Sequence, residues 1–468
     1  MCLTIPGKIE SIKKGIATVS NGSRTAQVDL GLVFDAKVGD WILYATDRAV
    51  KQISAEDAKE IISLLEDHYH PVDVSKLPLR FKKIIFKVRS QKTDNRLQIT
   101  DNSPHDLTRD EIEYLLNLKG KDNLETLFAE ANSIRKEVIE DFVCIHGIIE
   151  FSNHCKNNCL YCGIRRDNAN SKRYRMTEDE IVAAAKDAVE NEGYKLIVLQ
   201  SGEDEYYSDE MLIKIIKKIK SLLKVFIFIS VGERSRSFYK KALEAGASGS
   251  LIRFETSNSE LYRKLRPGHI LDNRLQLIRY LQELGYYVAT GSMVGLPGQT
   301  VGDIAEDLLT IQRLGAPMIS AGPYVEAKNT PLQITNYKLQ ISNKFQNPND
   351  KMTNDLITDN RQPTTDNLEL MLKFIAIARF MMPEVKIPVT TALETLDPEN
   401  GRHRGLLAGA NALMFNLTPE KYSKNYSIYD NKYREREKVW QKYGLFQGEE
   451  SYEMLSDRLM VDTLHTNN

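Results

Sequence analysis

The sequence predicts an α/β protein: a (β/α)8 barrel of the TIM type, preceded by a small β-barrel with a terminal helix. Three observations predict it. From Val143 onward, eight β-like runs alternate with helix patterns, whereas residues 1–70 alternate short β runs with polar turns. At 468 residues, the chain also exceeds what one ordinary core can bury.

The first unit, residues 1–70, contains the runs KIESI, GIATVS, TAQVDL and DWILYA. A helix from Ser54 to about Asp67 closes it, with Ser54 as N-cap, Asp57 at the capping-box position and an apolar stripe of Ile61, Ile62, Leu64 and Leu65. Residues 71–105 carry prolines, mixed charge and no sustained period, so they read as a linker with at most one short strand. Helices resume at Thr108, and the barrel is expected over 106–430.

Its strands are expected at 143–152, 195–201, 224–231, 249–255, 286–293, 317–322, 386–391 and 411–416. Between them lie helix patterns such as Thr177 to Glu192, opened by a Thr177/Glu180 capping box, and Asp209 to Leu223. Crossover helices set successive strands side by side and parallel, which closes eight of them into a barrel. An open doubly wound sheet is the competing topology. The stretch 333–367, rich in Asn, Gln, Asp and Thr, interrupts the rhythm and reads as a disordered surface insertion after the sixth strand. Residues 431–468 read as a C-terminal extension.

Composition narrows the function classes. With 42% hydrophobic and 27% charged residues, and 63 basic against 64 acidic side chains for a net charge of -1, nothing points to nucleic acid or a membrane. The N-terminus has no apolar run fit for a signal peptide, and the longest apolar stretch, Val225 to Val231, is far short of a membrane span. A cytoplasmic protein is expected. In that reducing compartment five cysteines argue against a disulfide framework, and clustered ones point to metal or redox chemistry.

Three of the five, Cys155, Cys159 and Cys162, lie in FSNHCKNNCLYCGIRRDN. Their i, i+4, i+7 spacing also fits one helix face. Asn153, Asn157, Asn158 and Gly163 favour a loop instead, directly after a strong strand. Zinc would need a fourth ligand, from His154, Cys144 or Cys2. A 4Fe-4S cubane held by three cysteines needs none and leaves its fourth iron open. Such a loop stands at the C-terminal end of the first barrel strand, where catalytic groups of these barrels gather. Cys144 reads as a small core residue, and His154 as second shell or surface.

The spacing C-x3-C-x2-C, with Tyr161 before the last cysteine, resembles the signature of the radical S-adenosylmethionine (SAM) superfamily. The resemblance implies a 4Fe-4S cluster on Cys155, Cys159 and Cys162, with SAM chelating the open iron. One electron from a low-potential donor of ferredoxin or flavodoxin type would cleave SAM to methionine and a 5'-deoxyadenosyl radical. Partners for SAM are expected at the other strand ends. After the second strand, Gln200-Ser201-Gly202-Glu203-Asp204 stands where the superfamily carries a Gly-Gly-Glu-like element for the amino group. Arg253 and Glu255 follow the fourth strand, spaced by two so as to share a face; a structural ion pair is the plainer reading. Arg274 would pair with the carboxylate. The glycines of GSMVGLPG, including Gly295, would let backbone approach adenine or ribose.

YCGIRRDN, VLQSGED, RFETSN, LYRKLRPG, GSMVGLPGQT, NTPL, PVTTALETL and NALMFNLTP resemble, in order, the HydE family of FeFe-hydrogenase maturases over most of 106–430. That resemblance implies a full barrel around a cavity in which an iron–cysteine complex carrying CO and cyanide, made by a partner maturase, is processed towards the di-iron subcluster. Thr390, Thr391, Met293, Tyr324, Arg234 and Asn416 would line it, or else pack the barrel core. No cysteine follows Cys162, so an accessory cluster near the C-terminus is not expected.

The N-terminal MCLTIPGKI, with VGDWILYATDRAVKQISAEDAKEIISLLE, resembles the HypC-type chaperone of NiFe-hydrogenase maturation, which carries an iron fragment on the cysteine after the initiator methionine. Cys2 matches, while Ala45 stands where that family has histidine. The implied role is to receive or present the organometallic fragment; a docking module is the alternative. A mutase of the pyrrolysine-pathway type shares the barrel motifs, and a non-catalytic iron-fragment scaffold is a further reading. Biotin synthase would need cluster cysteines beyond Cys2 and Cys144.

Overall fold

The computed structural model describes residues 5–20, 25–31, 33, 35–45, 48–59, 77–90, 106–139, 143–333 and 363–434. Cys2, most of the expected helix to Asp67, and most of the insertion and C-terminal extension lie outside these residues.

The N-terminal unit is a closed five-stranded barrel: β1 (Ile5–Lys13), β2 (Ile16–Ser20), β3 (Thr25–Asp29), β4 (Trp41–Ala45) and β5 (Arg48–Ile53), in the order β1-β2-β3-β5-β4. Inward residues Ile9, Ala17, Val19, Val28, Ile42, Tyr44 and Ala49 fill it. Strand alternation produces this: in β2 exposed Ile16 is followed by buried Ala17 and Val19. A helical turn over 55–59 follows, and Ser54 and Asp57 exchange the expected capping bonds, Asp57 N to Ser54 Oγ at 3.0 Å and Ser54 N to Asp57 Oδ2 at 3.4 Å.

The segment expected as linker contains a twelve-residue helix, Leu79–Ser90, burying Phe81, Ile84 and Val88. Those residues recur at helical spacing, and the dense lysines around them masked the period.

The second unit closes as predicted. Its parallel strands are β6 (Cys144–Ser152), β7 (Leu196–Ser201), β8 (Phe226–Ser230), β9 (Gly249–Leu251), β10 (Tyr287–Thr290), β12 (Met318–Ile319), β14 (Pro388–Val389) and β15 (Ala412–Asn416). Each pairs with its successor except β12 with β14, β15 pairs with β6, and a single parallel bridge between Met318 and Lys386 joins β12 to the run into β14. A short pair, β11 (Met293–Val294) and β13 (Gly322–Pro323), sits at the strand ends. β6 is buried along its whole length because one face meets the barrel interior and the other the helices. Cys144 and Ile148 join Leu196, Val198, Phe228, Tyr287, Ala289, Met318 and Met414 inside, while Ile145, Ile149 and Phe151 pack with the helical layer.

Helix starts follow the sequence signals. Thr108/Glu111 and Thr177/Glu180 form capping boxes, and Ser208 caps Asp209–Leu222. The helix Pro363–Met381 begins inside the stretch expected as insertion, and Asn367 is buried against Tyr324 O at 3.0 Å.

Arg379, fully buried on that helix, fastens the seventh and eighth strands. Its guanidinium donates to Gly409 O, Pro383 O, Val385 O and Asn411 Oδ1 at 2.7–3.0 Å. Burial pulls its pKa down to about 9, so the carbonyls hold a cation that no carboxylate neutralises among these contacts. Arg379→Met is expected to destabilise the chain by roughly 3 kcal/mol, because several buried acceptors lose their donor. Denaturant unfolding of the apoprotein measures this.

Candidate active site

The three cysteines lie on an irregular loop after β6, not on a helix. The asparagines build that loop as their propensity suggests. Asn153 Nδ2 donates to Lys172 O and Asn425 O at 2.8 and 2.7 Å, and its Oδ1 accepts from Tyr174 N at 2.8 Å. Arg173 donates to the carbonyls of Asn153, Ile164 and Arg165. Gly202, at the end of β7, lets the loop press close: a Cβ there would stand 2.2 Å from His154 O and 2.8 Å from Cys155 Cβ. Lys156 N then bonds Glu203 O at 2.9 Å.

All three thiols open on one cavity of about 280 Å³ at the C-terminal mouth of the barrel, with Ile148, Leu251 and Met414 inside the barrel contributing to its lining. Burial raises the pKa of each thiol; repulsion from neighbouring thiolates adds to it at Cys155 and most at Cys162, and repulsion from the Glu255 and Glu203 carboxylates adds to it at Cys159. A bound metal cation would offset that repulsion and hold the trio as thiolates. Among the described residues, no three His, Cys, Asp or Glu side chains converge as ligands of one metal ion. A cubane instead gives each thiolate a different iron.

Other buried groups on the cavity wall await a partner. Glu203 Oε2, Arg266 Nε and Thr390 Oγ1 are buried without a hydrogen bond. Each such group costs free energy unless a ligand satisfies it. Glu203 Oε1 and an Arg266 guanidinium nitrogen form a loose ion pair at 3.7 Å, and a zwitterionic ligand meets the atoms left unbonded, its ammonium at Glu203 Oε2 and its carboxylate at Arg266 Nε. Gly232, at φ +74, lies against the Glu203 side chain, where a Cβ would fall 2.4 Å from Oε1. The residues thus fit SAM beside a three-cysteine cluster.

Of the residues singled out in the sequence, Tyr161, Ser201, Gly202, Glu203, Arg253, Glu255, Arg274, Met293, Tyr324, Thr390, Thr391 and Asn416 line this cavity. Several details differ from expectation. Arg274 is buried and bonded to Glu233 at 2.9 Å, and that carboxyl is pulled to about 2 by the His269 hydrogen bond and the charges of Arg274 and Arg266, against the effect of burial. Arg274 therefore holds Glu233, and the guanidinium with a free donor is that of Arg266. Arg253 and Glu255 do not share a strand face, because β9 ends at Leu251 and Glu255 turns to φ +68; they meet as an ion pair at 3.1 Å. Gly295 does not line the cavity. At φ +84 it packs against Asn367, where a Cβ would clash at 2.0 Å. Arg234 also lies outside the lining, paired with Asp209 at 2.9 Å.

Sequence reasoning missed Arg266, Glu150 and the segment Tyr426 to Lys432. Tyr426, Ile428, Tyr429 and Lys432 all line the wall, and Lys432 carries it beyond the expected barrel boundary at 430. Glu150 had a signal, as the single carboxylate in an apolar strand; the irregular NYSIYDNKY had none.

Asp307 organises two loops from behind the wall. It accepts from Ser257 N and Oγ, both at 2.6 Å, and from Gln299 Nε2 at 3.0 Å. Gln299 in turn bonds Met293 O, Gly295 N and Leu296 N. One carboxyl thus couples the loop of Glu255 to that of Met293. Burial pushes its pKa up to about 7, against the pull of its donors. A folded pKa raised above the ordinary 3.8 adds stability that is complete below about 4 and lost as pH rises through about 7. Thermal unfolding should therefore show wild type losing stability from pH 5 to 8 relative to Asp307→Asn.

Known proteins place this geometry. Residues 149–311 match the radical SAM superfamily and residues 1–65 the HupF/HypC family. Crystal structures of methylornithine synthase (TM-score 0.61, 24% identity, 80% of this chain and 99% of that one) and of HydG, a maturase of FeFe hydrogenase (0.63, 19%, 87% and 83%), share the fold. The protein is a radical SAM enzyme. The FeFe hydrogenase maturase subunit HydE of Thermotoga maritima is 42% identical over 327 residues, 70% of this chain and 85% of that protein. The 3-methylornithine synthase of Methanosarcina barkeri is 28% identical over 339 residues, 71% and 86%. The chain belongs to the HydE family of hydrogenase maturases. No described helix is long and apolar enough to cross a membrane.

Proposed function

We propose that this enzyme cleaves SAM reductively at a 4Fe-4S cluster on Cys155, Cys159 and Cys162, and processes an iron–cysteine intermediate bearing CO and cyanide during assembly of the FeFe-hydrogenase active site. The observation that carries it is one cavity that joins three thiols to the loosely paired Glu203 and Arg266, each of which keeps one buried atom without a hydrogen bond. The cluster, when bound, supplies the electron that releases methionine and a 5'-deoxyadenosyl radical from SAM.

This chain's own residues orient and shield. Glu203 takes the ammonium and Arg266 the carboxylate of SAM, and Tyr161 covers the cluster side. Met293, the Arg253–Glu255 pair, Thr390 and Thr391 line the same cavity, and Thr390 and Thr391 face the second substrate. Excluding water keeps the radical from reacting with solvent. Partners on this reading are a low-potential electron carrier of ferredoxin or flavodoxin type and the other hydrogenase maturases, in the cytoplasm. The small barrel presents the iron fragment through Cys2.

Anaerobically reconstituted enzyme with dithionite should form 5'-deoxyadenosine and consume the iron complex together with SAM. Serine at Cys155, Cys159 or Cys162 should reduce 5'-deoxyadenosine to background; formation at the wild-type rate would refute the cluster assignment. Glu203→Gln or Arg266→Met should raise the KM for SAM by roughly 10- to 100-fold, the loss of one charge-assisted hydrogen bond. Cys2→Ser should lower hydrogenase maturation in cells while leaving SAM cleavage intact; undiminished maturation would remove Cys2 from the pathway.

A further inference from the structure

We infer that Lys432, held by Glu150, is the anchor by which the cavity selects an anionic, acceptor-bearing substrate. The inference rests on the proposed function for the identity of the test ligand, and on the wall itself for its chemistry.

Glu150 at the end of β6 and Lys432 form a fully buried ion pair on the cavity wall. Asn416 Nδ2 donates to the other oxygen, Glu150 Oε2, at 2.9 Å. Both oxygens of the carboxylate are thereby occupied from within the wall. Lys432 has three N–H groups, and Glu150 accepts one of them. On the lining of the same cavity, Thr390 Oγ1 is buried without a partner, and Thr391 Oγ1 is bonded to Tyr429 OH at 2.7 Å. Towards the cavity, this side offers donors and a cation while its carboxylate is spent.

The Glu203 side is complementary, with a free carboxylate oxygen. That side also holds Arg266, 3.7 Å from Glu203, and so suits a zwitterion, whereas this side suits an anion. Sealing the wall does not require a buried ion pair, since apolar residues of similar volume are about as stable. The charge is explained by what it faces. Two acceptors of an iron–cysteine complex present the shared chemistry: the amino-acid carboxylate and an iron-bound cyanide nitrogen.

The test measures binding to the full-length, cluster-loaded enzyme with SAM. The probes are the iron–cysteine complex bearing CO and cyanide, its cysteamine counterpart lacking the carboxylate, and a counterpart in which neutral methyl isocyanide replaces cyanide. Wild type should prefer the anionic complex over at least one counterpart by about tenfold or more, the range of a charge-assisted hydrogen bond. Lys432→Met should abolish that preference and Lys432→Arg should retain it. Loss against the cysteamine form assigns the carboxylate, and loss against the isocyanide form assigns cyanide. Equal weakening of all three probes in Lys432→Met would overturn the inference and leave Lys432 a latch. Should that variant fold poorly, Glu150→Gln/Lys432→Met keeps the wall neutral and should show the same loss. No binding of any probe to wild type would overturn it too, whereas SAM cleavage with dithionite reports separately on the parent reading.

Discussion

Closure of eight parallel strands is the constraint on which the rest depends. A parallel sheet closed on itself brings every strand's C-terminal end to one mouth, so groups more than two hundred residues apart in the chain share a wall. Cys155 follows β6, Glu203 follows β7, and Asn416 ends β15 beside Glu150 at 2.9 Å. The ring is completed by a bridge between Met318 and Lys386 and fastened by the Arg379 guanidinium. Opening the ring would separate the donors of the site from its thiols.

Within that mouth, charge is arranged at an energetic cost that only ligands relieve. Three thiols repel one another, and Glu203, Arg266 and Thr390 each keep a buried polar atom unsatisfied. Meanwhile the groups that shape the site are held by close partners: Asp307 has three donors, Arg274 has Glu233, and Glu150 has Lys432 and Asn416. The contrast separates positioning residues from binding residues.

Much of this was legible in the sequence where local chemistry decides structure. The Thr108/Glu111 and Thr177/Glu180 capping boxes, the eight-strand rhythm and the Cys155–Cys162 loop each depend on residues close in the chain. The helix Leu79–Ser90 was obscured by its lysines, although Phe81, Ile84 and Val88 carried the period. Arg253 and Glu255 did meet, for a reason a strand period does not contain: the positive φ of Glu255.

By itself, then, the sequence determined the two units, the parallel barrel and the trio of cysteines, because propensity, period and ligand spacing act over a few residues. Only the tertiary structure decided which arginine faces the cavity, that Gly295 packs against Asn367 and not a ligand, and that Lys432 from beyond the last strand completes the wall. Those outcomes depend on which distant side chain competes for each partner: Glu233 pairs with Arg274 at 2.9 Å while Arg266 stands 3.7 Å from Glu203 with its Nε unbonded, and no local pattern encodes that choice.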